Sequence, residues 1–161
     1  MMSRKEKFDD FCKSIYVPIY SKSWWLDAVC SPENWDVWLY EQGCQLFAAM
    51  PYYYENRGKY KYITKPLLTQ NNGILFKYPS GVKETTKRIF EEKVIDAACE
   101  WINVINIDVY EQQFQTTFNN WLPFFWNCYE AVTRYTYVFS KNRLKDLTEV
   151  WQNIDKKKEI R

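Results

Sequence analysis

Any chemistry in this chain has to be done without histidine. None of its 161 residues is His, which removes Ser-His-Asp and Cys-His catalysis, the commonest general base, and His-containing metal sites. The glycines are Gly43, Gly58, Gly73 and Gly81, too scattered to write a GxGxxG or P-loop phosphate cradle. Cys12, Cys30, Cys44, Cys99 and Cys128 form no CxxC pair, so zinc and thioredoxin-type readings fail and reduced structural thiols are expected. The carboxylates expected near strand ends, Glu41, Glu55, Asp108 and Glu111, share no distinctive spacing. They read as surface or turn groups, and no catalytic residue can be assigned.

What the side chains can do is bind. Aromatic residues make up 19% of the chain, enough for either a stacking surface or a β-rich core, and the core has the stronger claim because Trp, Tyr and Phe favour strands. The run Tyr54-Glu-Asn-Arg-Gly-Lys-Tyr-Lys-Tyr62 interleaves rings with cations, as single-strand nucleic-acid platforms do. An ordinary hairpin with exposed lysines explains it as well. Surplus tryptophans such as Trp38 or Trp126 would suit an association face on a non-catalytic binding domain.

The elements that position these groups follow from periodicity. Residues 1–20 read as a polar leader and an extended segment shaped by Pro18. Ser21 or Ser23 can cap a short helix through Cys30, with Trp24, Trp25, Ala28 and Val29 as its buried stripe. Residues 35–41 and 45–54 alternate as a hairpin about Gly43, with Pro51 implying an edge position or a bulge. A third strand spans 59–64. The long loop 65–81 follows, of a length that is often functional. Residues 83–101 are an amphipathic helix built on Phe90, Val94, Ala97, Ala98 and Trp101, with Lys87, Glu91 and Glu92 solvated. Residues 103–110 read as a central parallel strand, and 111–121 as a helix carrying Phe114, Phe118 and Trp121 that Pro123 ends. Strands at 124–130 and 134–140 and a helix at 144–160, ending in Lys156 to Lys158, complete the order α-β-β-β-α-β-α-β-β-α. The fold class is α/β, a mixed sheet of antiparallel meander plus central parallel strand flanked by helices.

That order resembles the GNAT acyltransferase fold. The segments Pro18-Ile-Tyr-Ser-Lys-Ser-Trp-Trp-Leu-Asp-Ala-Val29, Trp35-Asp-Val-Trp38, Ala48-Ala-Met-Pro-Tyr-Tyr53 and Lys61-Tyr-Ile-Thr-Lys-Pro-Leu-Leu-Thr-Gln70 resemble the first of two tandem GNAT-like domains in FemAB-like proteins. The resemblance implies a GNAT-like domain at 1–142 and, at 143–161, the start of a helix leading to a second domain. It implies an N-acyltransferase that moves an acyl or aminoacyl group from acyl-CoA or aminoacyl-tRNA onto an amine, such as that of a peptidoglycan precursor. Such a first domain would be acceptor-binding and catalytically incomplete by itself. On that view Lys65, Thr69 and Gln70, with Tyr53 and Trp25, line the acceptor cleft. Lys65 would meet a phosphate or carboxylate, and Thr69 and Gln70 would hydrogen-bond sugar or peptide groups. Tyr52 and Tyr53 lie on opposite strand faces, so at most one reaches it.

The family binds the CoA pyrophosphate on a glycine-bearing turn that opens a helix. The junction matched to it here, Asp108-Val-Tyr-Glu-Gln-Gln113, has no glycine, so no cofactor is expected in this domain. A tRNA contact would fall at Lys156 to Lys158 or in the second domain. No stretch approaches the apolar length of a membrane helix, no secretory signal is visible, and the net charge is only +2. A cytoplasmic protein without membrane insertion is expected.

Overall fold

The computed structural model describes residues 2–135 and 147–152. Its contacts cluster into two units, Met1–Ala131 and Val132–Arg161. The first unit is α/β, a five-stranded mixed sheet with helices.

The chain opens with α1 (Arg4–Cys12), where a polar leader is expected. The reason is a capping box: Ser3 Oγ accepts from the Glu6 amide at 3.2 Å, and the Ser3 amide donates to Glu6 Oε2 at 2.6 Å. Two orphan donors are thus satisfied at once. Phe8 and Phe11 anchor α1 in the core, and Arg4 and Lys7 pair with Asp36 and Glu41 on the neighbouring strand. Helix α2 (Ser23–Cys30) lies where expected, but no side chain caps it. Ser21 and Ser23 bond instead to Asn72 and Asp9. Its buried residues are Leu26 and Cys30, while Trp24 and Ala28 face outward. Trp25 and Val29 of the expected stripe do pack, half-buried, against the same cluster as Leu26 and Cys30, so the buried face is centred one residue beyond them.

Strands β1 (Trp35–Gln42), β2 (Gln45–Arg57) and β3 (Tyr60–Thr64) form the expected antiparallel meander. Alternation is obeyed on a sheet whose two faces are both covered. Ala48, Met50 and Tyr52 join Trp38, Val94, Ala98 and Phe124 in one core cluster, whereas Ala49, Trp35 and Val37 join Phe8 and Leu26 in the other. Pro51 is on neither an edge nor a bulge. It pairs with Val37 in the most central strand, at the gap between Ala49, the last partner of β4, and Tyr53, the first partner of β3. No ladder bond is needed there on that side. The bulge of this hairpin lies at Tyr40/Glu41.

The expected loop 65–81 contains a two-residue strand, β4 (Leu75–Phe76), antiparallel to β2. Helix α3 (Glu84–Val104) buries the expected face but runs three residues past its expected end. The apolar stretch 103–110 is therefore not a central strand. Only β5 (Val109–Tyr110) forms, at the sheet edge and parallel to β3. An apolar run of that length reads equally as helix or strand, and nothing stops α3 before Ile105. No helix forms over 111–121. The rings of Phe114 and Phe118 do come together, stacked at 4.2 Å, because Thr116 and Thr117 make a turn between them. Pro123 does not end a helix; it occupies the first turn of one, α4 (Leu122–Trp126), where its missing N–H costs nothing. The expected strand at 124–130 is therefore absent.

In the second unit, α5 (Leu147–Gln152) falls inside the expected last helix. The remainder of that helix, Lys156 to Lys158, and all but the first two residues of the expected strand 134–140 lie outside the described residues.

Candidate functional site

The first unit contains a groove of about 170 Å³ between β4, the first half of α3 and residues 115–119. Its back is a run of stacked rings. Phe76 stacks on Tyr78 (5.7 Å, 17°) and on Phe118 (6.4 Å, 14°), and Phe118 stacks on Phe114. Offset parallel rings of this kind add to plain burial. The rim carries charge. The Tyr78 hydroxyl donates to Glu91 Oε1 at 2.5 Å, and Asn120 Nδ2 donates to Glu91 Oε2 at 3.1 Å. Lys87 Nζ lies 4.5 Å from the centre of the Tyr78 ring and 3.8 Å from Glu84. Burial, then the bond to Glu91, pushes the Tyr78 hydroxyl far above the ordinary phenol range. Tyr78 is thus a fixed donor that orients the carboxylate.

Glu91 was expected to be solvated, and only the tertiary fold makes it otherwise. It is one helical turn beyond Lys87, so an ammonium and a carboxylate flank one aromatic ring. Each oxygen of the carboxylate keeps a lone pair beyond the bond it already accepts. The arrangement can hold a zwitterion, with its cation on Glu91 and its anion on Lys87.

The five residues expected to line a cleft lie away from this groove. Trp25 and Thr69 do meet, since the indole Nε1 donates to Thr69 Oγ1 at 3.0 Å. Thr69 is only 3% exposed, and its own hydroxyl donates a hydrogen bond to the Leu67 carbonyl at 3.2 Å. Lys65 Nζ donates to Gln113 Oε1 at 3.2 Å. Gln70 faces solvent, and Tyr53 packs half-buried against the α1/α2 cluster. Tyr52 lies on the other face, against Trp101 at 4.8 Å.

The loop 65–73 is thereby fastened on two sides. The Asn72 amide donates to the Gln113 carbonyl at 2.7 Å, and Asn72 Oδ1 accepts from Gly73 N at 2.8 Å and Ser21 Oγ at 3.4 Å. Asn72 is buried, a clamp where the sequence suggested a plain turn. Gly73 is required by packing: a Cβ there would stand 2.5 Å from the Phe114 ring.

The four strand-end carboxylates are on the surface. Glu41 pairs with Lys7, and Glu55 with Arg57, whose hydrogen bond holds the Glu55 carboxyl below its usual range. Asp108 Oδ2 accepts from the Lys61 amide at 2.7 Å, and Glu111 faces solvent. In the ring-and-cation run, Arg57 lies over Tyr62 and Lys59 over Tyr60, so these cations already occupy ring faces. All five cysteines are free; Cys30 and Cys99 are buried, but Cys44 and Cys128 are exposed.

Comparison with family models, curated proteins and solved structures returns no match. Function therefore rests on the geometry above. No helix among the described residues is long and apolar enough to cross a membrane.

Proposed function

We propose that residues 1–131 form the acceptor-binding domain of an N-acyltransferase of GNAT-like, FemAB-like layout. The observation that carries the reading is the groove, where Glu91 and Lys87 flank the Tyr78 ring. An amine acceptor that also bears a carboxylate, as a peptidoglycan stem peptide does, matches that pair of charges. The sheet supports part of the same reading: an antiparallel meander whose last strand, β3, is followed, after the two-residue β4, by helix α3 and then by a parallel neighbour, β5, at the sheet edge. Of the layout that the resemblance implies, the meander, the crossover helix and the parallel pairing are present.

The donor, acyl-CoA or aminoacyl-tRNA, belongs to another domain on this reading. The segment 108–113 opens no helix. The helix that does follow β3 begins with Glu84 in its first turn and no side-chain cap, a carboxylate where a pyrophosphate would need positive potential.

The test is calorimetric titration of the chain with a muramoyl-pentapeptide carrying a free side-chain amine, and with its N-acetylated form. The free amine should bind in the millimolar-to-micromolar range, about −4 to −8 kcal/mol, and the acetylated form at least about tenfold more weakly. Glu91→Gln removes the charge-assisted bond, worth about 1.5–3 kcal/mol, and should weaken binding about 10- to 100-fold with the fold intact. Equal affinity for both peptides, or an indifferent Glu91→Gln, would defeat the proposal.

A stand-alone binding domain is the second reading, favoured by α4. Trp126 is 62% exposed, and Phe125 beside it and Trp121 at the N-cap of the same short helix are also exposed and in edge contact with each other at 6.1 Å. Trp38, the other tryptophan considered, is buried. Association that rises with concentration and disappears in Trp126→Ser would favour this reading over the first.

A further inference from the structure

We propose that the acceptor seated in the groove is a single free α-amino acid with an apolar side chain. This rests on the acceptor-binding reading and narrows its substrate class. Lys87 and Glu91 are both half-buried on α3, and at four residues' spacing their Cβ atoms lie about 6 Å apart on one helix face. A ligand that bridges the two carries its own ammonium and carboxylate close together, as on one α-carbon, and not at opposite ends of a peptide. Glu84 does not compete for the anion's place. It is exposed, and its 3.8 Å from Lys87 Nζ is a loose ion pair, beyond hydrogen-bond distance.

Size limits what lies between those charges. The groove holds about 170 Å³, little more than half the roughly 300 Å³ at which pockets for drug-sized ligands begin. One amino acid fills such a space, whereas a sugar-linked peptide would lie mostly outside it.

The lining selects the side chain. Leu75 is buried, and Phe76 and Phe118 are half-buried with their rings nearly parallel, so the groove offers an apolar surface. From residues 115–119 it takes Gln115, Thr117 and Asn119, which exchange hydrogen bonds but carry no charge. Beyond Lys87 and Glu91, no charged side chain lines the groove among the described residues. A third charge on the ligand would therefore lose water without gaining a partner. Acylation of such a ligand is a balanced step. Its ammonium gives one proton to water, and the nitrogen bonds to the acyl carbon as the donor's thioester or ester bond breaks. The second proton leaves with the thiol or hydroxyl.

The experiment is titration of the full chain, followed by NMR chemical shifts, with L-leucine, L-leucinamide, N-acetyl-L-leucine, L-aspartate and the muramoyl-pentapeptide. L-Leucine should bind in the millimolar range. The amide lacks the carboxylate, the acetyl form lacks the cation, and aspartate adds a charge, so each should bind at least about tenfold more weakly. Lys87→Met keeps the alkyl stem and removes the ammonium. It should weaken L-leucine at least about tenfold and leave L-leucinamide unchanged, a difference that damage to the fold would not produce. Pentapeptide binding that Glu91→Gln weakens, without any binding of L-leucine, would overturn this inference and leave the acceptor-binding domain standing. L-Leucine bound no better than its amide or than aspartate, or bound equally well by Lys87→Met, would overturn it as well. A chain that binds neither L-leucine nor the pentapeptide would overturn both readings.

Discussion

Gly73→Ala is the sharpest test of how the loop 65–73 is built. The backbone at Gly73 is not in the left-handed region, so the substitution probes space alone. Its new Cβ would stand 2.5 Å from Phe114 Cδ1 and 2.9 Å from Cε1, whereas ordinary contact begins at 3.4 Å. The ring would have to retreat by about 1 Å. It has nowhere easy to go, with Phe118 stacked on it at 4.2 Å and Phe124 against it at 5.2 Å. Overpacking of this kind costs about 1–3 kcal/mol, which for a chain of this size lowers Tm by about 3–12 °C. Urea and thermal unfolding followed by circular dichroism would read it. Phe114→Leu trims the ring that Gly73→Ala strikes, so the double variant should recover at least about 1 kcal/mol relative to the sum of the singles. A neutral Gly73→Ala, or singles that simply add, would show that the loop does not rest on Phe114.

Two further outcomes follow from burial. Desolvation raises the Cys12 and Cys99 thiols from 9.0 to about 12 and the Cys30 thiol to about 11. The unfolded chain therefore loses these protons first: their contribution to stability is intact below pH 9 and drains away as pH climbs toward 11–12. The urea midpoint should be lower at pH 10.5 than at pH 8, and Cys99→Ala should flatten that fall; a midpoint constant with pH would contradict it. Trp25→Phe deletes the donor to buried Thr69 Oγ1 and should cost about 1 kcal/mol, read as a lower Tm, whereas an unchanged Tm would mean that the bond does not hold α2 to the loop.

The elements legible in the sequence are those whose periodicity the structure uses directly. The β1–β2–β3 meander alternates about Gly43 and Gly58, both at positive φ in their turns, and α3 repeats its apolar residues at helical spacing. Helix α1 was legible too, through the Ser3–Glu6 box, but it passes for a polar leader if only apolar residues are followed. The stretch 111–130 could not be read this way. Phe114, Phe118 and Trp121 have helical spacing, yet ring stacking across a Thr-Thr turn brings the first two together as well as a helix would. Glu91 was illegible for a different reason. Its partners Tyr78 and Asn120 are 13 and 29 residues away in sequence, so only tertiary folding turns a solvated helix position into the rim of a groove.

The loop 65–81 has a length that is often functional, and the bonds of its first part make 65–73 a fixed platform. Thr69 is bonded on the α2 side, and Asn72 and Lys65 are bonded to Gln113 on the other. A hinge needs a segment able to absorb dihedral change, and here Pro66, buried Thr69, buried Asn72 and close-packed Gly73 leave Leu67, Leu68 and Gln70 outside the packing. Aromatic contacts carry that rigidity onward: Gly73 abuts Phe114, Phe114 stacks on Phe118, and Phe118 lines the groove beside Glu91. The aromatic richness of the chain is therefore spent on more than a β-rich core. It replaces the regular structure that 111–121 lacks, and so fixes both the groove wall and the base from which the two leucines project.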